Sequence, residues 1–337
     1  MKKLLIKSSS LNHSTIYGMI AMIAAALCLI AGFSHKPQLY PIDFGQYEVI
    51  MRDAGLTWTA EDIAQGGLQY SRPLTHFAYT DISWFRLLTP RAGSSLVYPI
   101  ALIRIFTEPL GLDFSVNALA FVLSLILLIC VYLQMGYLYK LFPKYAFFPI
   151  IGMCLIFTDS NFCAILRGLY PQGVMIVYTV LYITALLGYF ASEEKKRLPH
   201  MFATAVSSVL LLRADSHMIV FLPALILMGI YIIIREKNLL SKHLGAAVIT
   251  IVLSCAYMLR AFTVVGTDPD IVSEAASYSS VFNTMLPNSG SPSVIIKEFG
   301  LDESYLNDIG RSYYESAESF VHDPHNEVEA EKLFEKI

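Results

Sequence analysis

The sequence predicts an all-α membrane protein: a bundle of about seven transmembrane helices with one long loop after the first. Three observations carry this. Of 337 residues, 55% are hydrophobic and only 15% charged, with a mean hydropathy of +0.55, whereas soluble domains are about one-quarter charged. The apolar residues gather into seven runs, several near the ~20 residues that cross a bilayer as a helix. Lysine and arginine cluster in every second connection between those runs, which selects one orientation.

Residues 1–14 carry Lys2, Lys3 and Lys7 and are read as a cytoplasmic N-terminus. The first run, 15–33, has no charge. It is longer than a signal-peptide core and lacks an Ala-x-Ala exit, so it reads as an uncleaved span. Ala25-Ala26-Leu27-Cys28 fails as a lipoprotein site because the residue before the cysteine is not small. The first extracytoplasmic loop, 34–115, is far longer than most connections. Within it, 44–55 is expected to form a helix with Tyr47, Ile50 and Met51 on one face. Ser94-Ser95-Leu96-Val97-Tyr98-Pro99 leads into 100–106, too short to span and interrupted by Arg104, which reads as a helix along the membrane surface.

Six more runs follow, near 116–138, 145–157, 173–190, 201–212, 218–234 and 244–264. Two of them, 145–157 and 201–212, are short and end in polar residues suited to a protein-lined cavity. Lys140 and Lys144, then Lys195, Lys196 and Arg197, then Arg235, Lys237 and Lys242 mark the cytoplasmic loops. The acids lie nearly all on the other face, with Glu193, Glu194 and Glu236 as exceptions. Residues 15–265 thus form the membrane module, and 266–337 a polar extracytoplasmic segment with helices expected at 293–299 and 326–336. The chain stops inside an amphipathic pattern at 330–337, which reads as a truncation. The five cysteines lie in or beside apolar runs without metal or disulfide spacing.

That topology gathers the unusual polar residues on one side. Asp159-Ser160-Asn161 ends the third run and Arg167-Gly168-Leu169-Tyr170-Pro171-Gln172 opens the fourth. Arg213-Ala214-Asp215-Ser216-His217 joins the fifth and sixth, and Arg260 lies near the outer end of the seventh. Ionisable groups at membrane depth cost a few kcal/mol each, so they point to function. Plainer roles stand beside that. Arg213 and Asp215 suit a tight-turn ion pair equally well. Asp159 reads as a helix-end turn residue with Ser160 or Asn161 as N-cap, and Arg260 as a snorkelling side chain. His217 reads as a packing residue. Tyr40, Trp58, Tyr79 and Trp84 suit an interfacial aromatic belt as well as a sugar platform.

One acid stands apart. Asp43, in Pro41-Ile42-Asp43-Phe44-Gly45-Gln46-Tyr47, opens the long loop about ten residues beyond the first span. With Arg167 and Arg213 on the same face, it offers the pairing that sugar transfer from a polyprenyl phosphate requires. Arginine binds the lipid phosphate and stabilises its developing charge, and a carboxylate takes the acceptor's proton. There is no GxGxxG and no P-loop, which fits a donor already lipid-linked.

Over residues 1 to about 265 the arrangement resembles the GT-C superfamily of integral-membrane glycosyltransferases. More narrowly, it is similar to the bacterial glycan-biosynthesis hexose transferase family of WsfD type. Three stretches carry that: Pro41-Ile42-Asp43-Phe44-Gly45, Leu212-Arg213-Ala214-Asp215-Ser216, and Phe282-Asn283-Thr284-Met285-Leu286 continuing through Phe299-Gly300-Leu301. The resemblance implies a multi-pass protein of the bacterial cytoplasmic membrane with an extracytoplasmic active site. It implies Asp43 as base and Arg213 in the donor-phosphate region. The residues themselves add Arg167, Tyr170, Asp215 and Ser216 as donor-phosphate or substrate-binding candidates, and Asp159, Tyr47 and Arg260 as secondary ones. Asp53, Glu61 and Asp62 are alternative acids, expected on solvated faces. The expected partners are a polyprenyl-phosphate sugar, a glycan acceptor and membrane lipids, with no nucleic acid. No cofactor is expected beyond the lipid-linked donor, and a divalent metal stays open. Two alternatives compete: a flippase or transporter of an anionic or lipid-linked envelope precursor, and a non-catalytic envelope scaffold.

Overall fold

The computed structural model describes residues 2–35, 50–57, 59, 75–88, 94–236, 281–282, 285–298 and 303–309, with isolated positions between 242 and 253. They fall into two compact units, the first holding the described residues up to 253 and the second those from 281 onward.

The first unit is built on a row of long helices. α1 (Lys2–Ser34) packs on α4 (Val116–Leu141), α4 on α7 (Pro171–Ala191), and α7 on α8 (Leu198–Leu212). Among the described residues, three helices are long and apolar enough to cross a membrane: His13–Ser34 within α1, α4 and α7. The third expected span differs. It is two helices, α5 (Phe147–Phe157) and α6 (Ser160–Leu166), bent by 78° at their junction. Asp159 makes the break: its Oδ1 accepts from the Asn161 N–H at 2.8 Å, so Asp159 itself, rather than Ser160 or Asn161, caps α6. The fifth and sixth runs form α8 and α9 (Leu222–Arg235), only 15 and 14 residues long. At ~22 Å they fall short of a ~30 Å hydrocarbon core. The seventh run lies mostly outside the described residues, and the described helices give three candidate crossings, or four if the bent pair is one span.

Small residues and buried amides bring the row together. Gly18 of α1 lies against Tyr132 of α4. Gln134 of α4 donates to the Thr184 hydroxyl at 2.9 Å and to the Val180 carbonyl at 3.2 Å on α7, a polar tie suited to an apolar solvent. Gly32 seats α1 on the α5–α6 break. A Cβ there would lie 2.5 Å from Cys163 Sγ and 2.6 Å from the Phe157 carbonyl oxygen. Gly32→Ala is therefore expected to cost about 1–3 kcal/mol by overpacking, while Gly136→Ala, with nothing within 4 Å of its Cβ, gains up to ~1 kcal/mol. Thermal unfolding of the two purified variants checks the contrast.

The long loop contains a small sheet that the all-α expectation missed. β1 (Leu56–Thr57), β2 (His76–Tyr79) and β3 (Phe114–Ser115) run antiparallel in the order β1-β2-β3. Fully buried Phe77 and Phe114 face each other across it. α2 (Trp84–Leu88) and α3 (Val97–Thr107) follow β2, and β3 feeds directly into α4. α3 buries Val97, Ile100 and Ile103 and exposes Leu102, Ile105 and Phe106, a face suited to the plane of a membrane surface. Of the helix expected at 44–55, the described part is helical at 50–54, with Ile50 and Met51 buried; Tyr47 lies outside the described residues.

Arg104 does not interrupt α3 at its surface; it is 3% exposed and ties the loop together. Its guanidinium pairs with Glu108 through Nε (2.8 Å) and Nη2 (2.5 Å) and donates to the Thr80 carbonyl at 2.8 Å and the Gly55 carbonyl at 3.4 Å. The Arg104 hydrogen bond holds the Glu108 carboxyl below its usual range. Gly55, at φ +65°, turns the chain where a Cβ would meet Arg104 and Ile82. Tyr79 lies under the same guanidinium and bonds Thr107 Oγ1 at 2.7 Å, so its role here is packing. Arg104→Ala is expected to cost about 3 kcal/mol, because charged hydrogen bonds vanish and the Thr80 carbonyl loses its Arg104 donor, while the Gly55 carbonyl keeps the Thr80 N–H at 2.9 Å. Faster proteolysis within the loop and a lower melting temperature would register it.

The second unit's described core is Val281, Phe282, Leu286, Ile296 and Tyr305. α10 (Pro292–Glu298) matches the helix expected at 293–299, and Lys297 pairs with Glu303 at 2.6 Å. The helix expected at 326–336 lies outside the described residues.

Candidate functional site

The best-defined polar site in the first unit is at the C-terminal end of α8. Arg213 closes that helix and is 3% exposed. The lead into α3 clamps the turn. The Ser95 N–H donates to the Arg213 carbonyl at 2.6 Å, Ser94 Oγ to the Ala214 carbonyl at 2.9 Å, and Ser95 Oγ to the Leu210 carbonyl at 2.7 Å. Tyr178 of α7 donates to the Ser95 carbonyl at 3.2 Å. Hydrogen bonds to backbone carbonyls thereby join three segments distant in sequence at this corner.

The Arg213 guanidinium is not satisfied among the described residues. Nη1 donates to the Tyr98 hydroxyl at 2.5 Å, and the guanidinium carbon lies 5.6 Å from the Tyr98 ring centre. Nε and Nη2 are buried with no hydrogen-bond partner among the described residues. Burial pushes the Tyr98 hydroxyl above its ordinary pKa, with the Arg213 charge opposing, so the phenol stays neutral and cannot neutralise the arginine. A buried cation with unmet donors costs several kcal/mol. An anion with more than one oxygen matches that need.

Beside this corner lies a groove of about 450 Å³ between α3, α4, α7 and α8. Tyr98 and Leu102 form its α3 side, Ile126 and Ile129 line α4, Tyr178 belongs to α7, and Leu210 reaches it from α8, one turn before Arg213. The lining is almost wholly aliphatic and aromatic, and the groove is open to the surface. An apolar trough whose Tyr98 wall also bonds a buried arginine suits an amphiphile with an anionic head.

The other expected residues fall elsewhere. Arg167 caps the end of α6, its guanidinium carbon 4.9 Å from the Phe33 ring centre on α1. Tyr170 is buried at the N-cap of α7, just before Pro171. Asp159 and Arg167 thus mark the two ends of the same half-helix, and no contact links Arg167 to Arg213 among the described residues. Asp215 is half-buried and its carbonyl accepts from the Met218 N–H at 3.2 Å. Arg213's side-chain contacts are with Tyr98 rather than Asp215. Ser216 begins the 3-10 turn Ser216–Phe221, but the side chains of Ser216 and His217 lie outside the described residues. So do Asp43, Tyr47, Arg260, Tyr40, Trp58, Glu61 and Asp62. Asp53, expected on a solvated face, is instead fully buried beside Ala54 and Gly55. The residue the sequence reasoning passed over is Tyr98. Its signal was the Ser-Ser-x-x-Tyr-Pro lead into α3, short polar residues ahead of an aromatic that can bond a neighbouring turn.

No curated protein and no solved structure matches this chain. The sequence model of the YfdI N-terminal transmembrane domain matches residues 2–337, in keeping with the long apolar helices described above. This membrane protein therefore belongs to the YfdI N-terminal transmembrane domain family.

Proposed function

We propose that the chain is a membrane glycosyltransferase of GT-C type, moving a hexose from a polyprenyl-phosphate donor to a cell-surface glycan or lipid-linked acceptor on the extracytoplasmic face. The observation that carries this reading is Arg213: a buried guanidinium with two donor nitrogens unmet among the described residues, bonded to Tyr98 in the wall of an open apolar groove. The resemblance of the three short motifs to WsfD-type transferases supports the same conclusion, as does the basic-loop pattern, which puts Asp43 and Arg213 on one face.

In the reaction, Asp43 removes the proton from the acceptor hydroxyl as its oxygen attacks the anomeric carbon. The bond from that carbon to the lipid-phosphate oxygen breaks, and its electron pair leaves with the phosphate. Arg213 binds the phosphate oxygens as they gain charge, with Asp215 and Ser216 in the turn that follows it. One carboxylate suffices for a single inverting displacement.

Reconstitution of the purified protein in proteoliposomes, with a radiolabelled polyprenyl-phosphate hexose and an acceptor glycan, tests this. Label is expected on the acceptor. Label that crosses to the opposite leaflet without transfer would point to a flippase, and no movement at all from inserted, folded protein would sink the proposal.

A further inference from the structure

Tyr98 belongs to the groove and to Arg213 at once. Its ring walls the groove beside Pro99 and Leu102. Its hydroxyl accepts the Nη1 hydrogen bond of Arg213 and lies 3.3 Å from the Leu88 carbonyl, to which it donates. No other groove-lining residue hydrogen-bonds to the guanidinium or stacks on it among the described residues. Whatever fills the groove therefore presses on the group that occupies one of the donors of Arg213.

We propose that Tyr98 is a latch coupling recognition of a lipid tail to capture of its phosphate, an inference that rests on the lipid-linked-donor reading above. In the empty protein a neutral phenol holds Arg213 without neutralising it. A phosphate oxygen is the better acceptor, because hydrogen bonds between ionised partners are about twice as strong as neutral ones. A tail seated against the Tyr98 ring shifts the hydroxyl off Nη1, and the phosphate takes Nη1 together with the unfilled Nε and Nη2. A tailless phosphate has to displace Tyr98 unaided. A tail without phosphate leaves Arg213 on the tyrosine. Only a ligand with both parts gains from both contacts, which excludes the soluble phosphates and neutral lipids that surround such a protein.

The test uses the full chain in nanodiscs with three probes: farnesyl phosphate, inorganic phosphate and farnesol. Wild-type protein is expected to bind farnesyl phosphate well and the other two weakly. Tyr98→Phe removes the hydroxyl but keeps the ring. It should raise affinity for inorganic phosphate roughly tenfold, the value of one hydrogen bond to a charged group, and change farnesyl phosphate less, so that discrimination falls. Ile129→Trp fills the groove from α4 without touching Arg213. It should bring farnesyl phosphate down to the level of inorganic phosphate. If Tyr98→Phe keeps the wild-type ratio while Ile129→Trp still suppresses tail binding, the latch is wrong and the donor reading survives. If Ile129→Trp leaves farnesyl phosphate binding intact, the groove does not hold the tail and the latch falls with it. Failure of folded wild-type protein to bind farnesyl phosphate overturns the donor reading itself.

Discussion

Asp43→Asn is expected to abolish sugar transfer while leaving the protein folded and inserted. The amide keeps the size and much of the hydrogen bonding of the carboxylate but cannot accept the acceptor's proton, and loss of a positioned general base costs about 10²- to 10⁴-fold. Binding of the lipid-phosphate donor should be nearly unaffected, because in the proposed reaction Asp43 faces the acceptor. The decisive comparison sets transfer rate against donor affinity in the same preparation. A base variant loses rate and keeps affinity. Equal activity in Asp43→Asn and wild type would remove the base from Asp43 and turn attention to Asp53, the fully buried carboxylate of the same loop. Parallel loss of donor binding would instead assign Asp43 a place in the donor site.

The parts of this protein that repeat along the chain were legible in its sequence, and the parts built by contact were not. Runs of 20 or so apolar residues specify α1, α4 and α7 because length and hydropathy alone decide whether a helix crosses a bilayer. The α5–α6 break is half visible in the sequence: Asp159 reads as a turn residue, but the 78° bend and the seat of α1 on it at Gly32 are contacts between distant segments. The sheet left no periodic trace, since two of its strands have only two residues. Arg104 looked like a flaw in a surface helix because its acceptors come from Gly55 and Thr80, far away in sequence. The same holds at the site. Arg213 stood out as an arginine at membrane depth, but its partner Tyr98 lies 115 residues earlier, and no spacing rule joins them.

Arg213→Met gives the sharpest test of what that arginine is for. Methionine fills similar space with no charge and no donors. If Arg213 were a structural strut tying α8 to the lead into α3, its removal would lower stability. The hydrogen bonds argue otherwise: Ser94, Ser95 and Tyr178 hold the corner through backbone carbonyls that the substitution leaves in place. The guanidinium contributes one bond, to Tyr98, against the desolvation of a buried cation with Nε and Nη2 unfilled. Replacing an imperfectly paired buried charge by an apolar side chain is often neutral or stabilising by about 1–4 kcal/mol. The melting temperature of Arg213→Met should therefore hold or rise, while transfer falls by about 10²- to 10³-fold through loss of the group that meets the leaving phosphate. Arg213→Lys should fall between, since an ammonium restores charge but not the planar fork that grips two oxygens. A residue that weakens the fold and is nonetheless needed for turnover is the signature of a binding site. A drop in melting temperature with transfer unchanged would make Arg213 a strut, and the phosphate would have to be sought at Arg167.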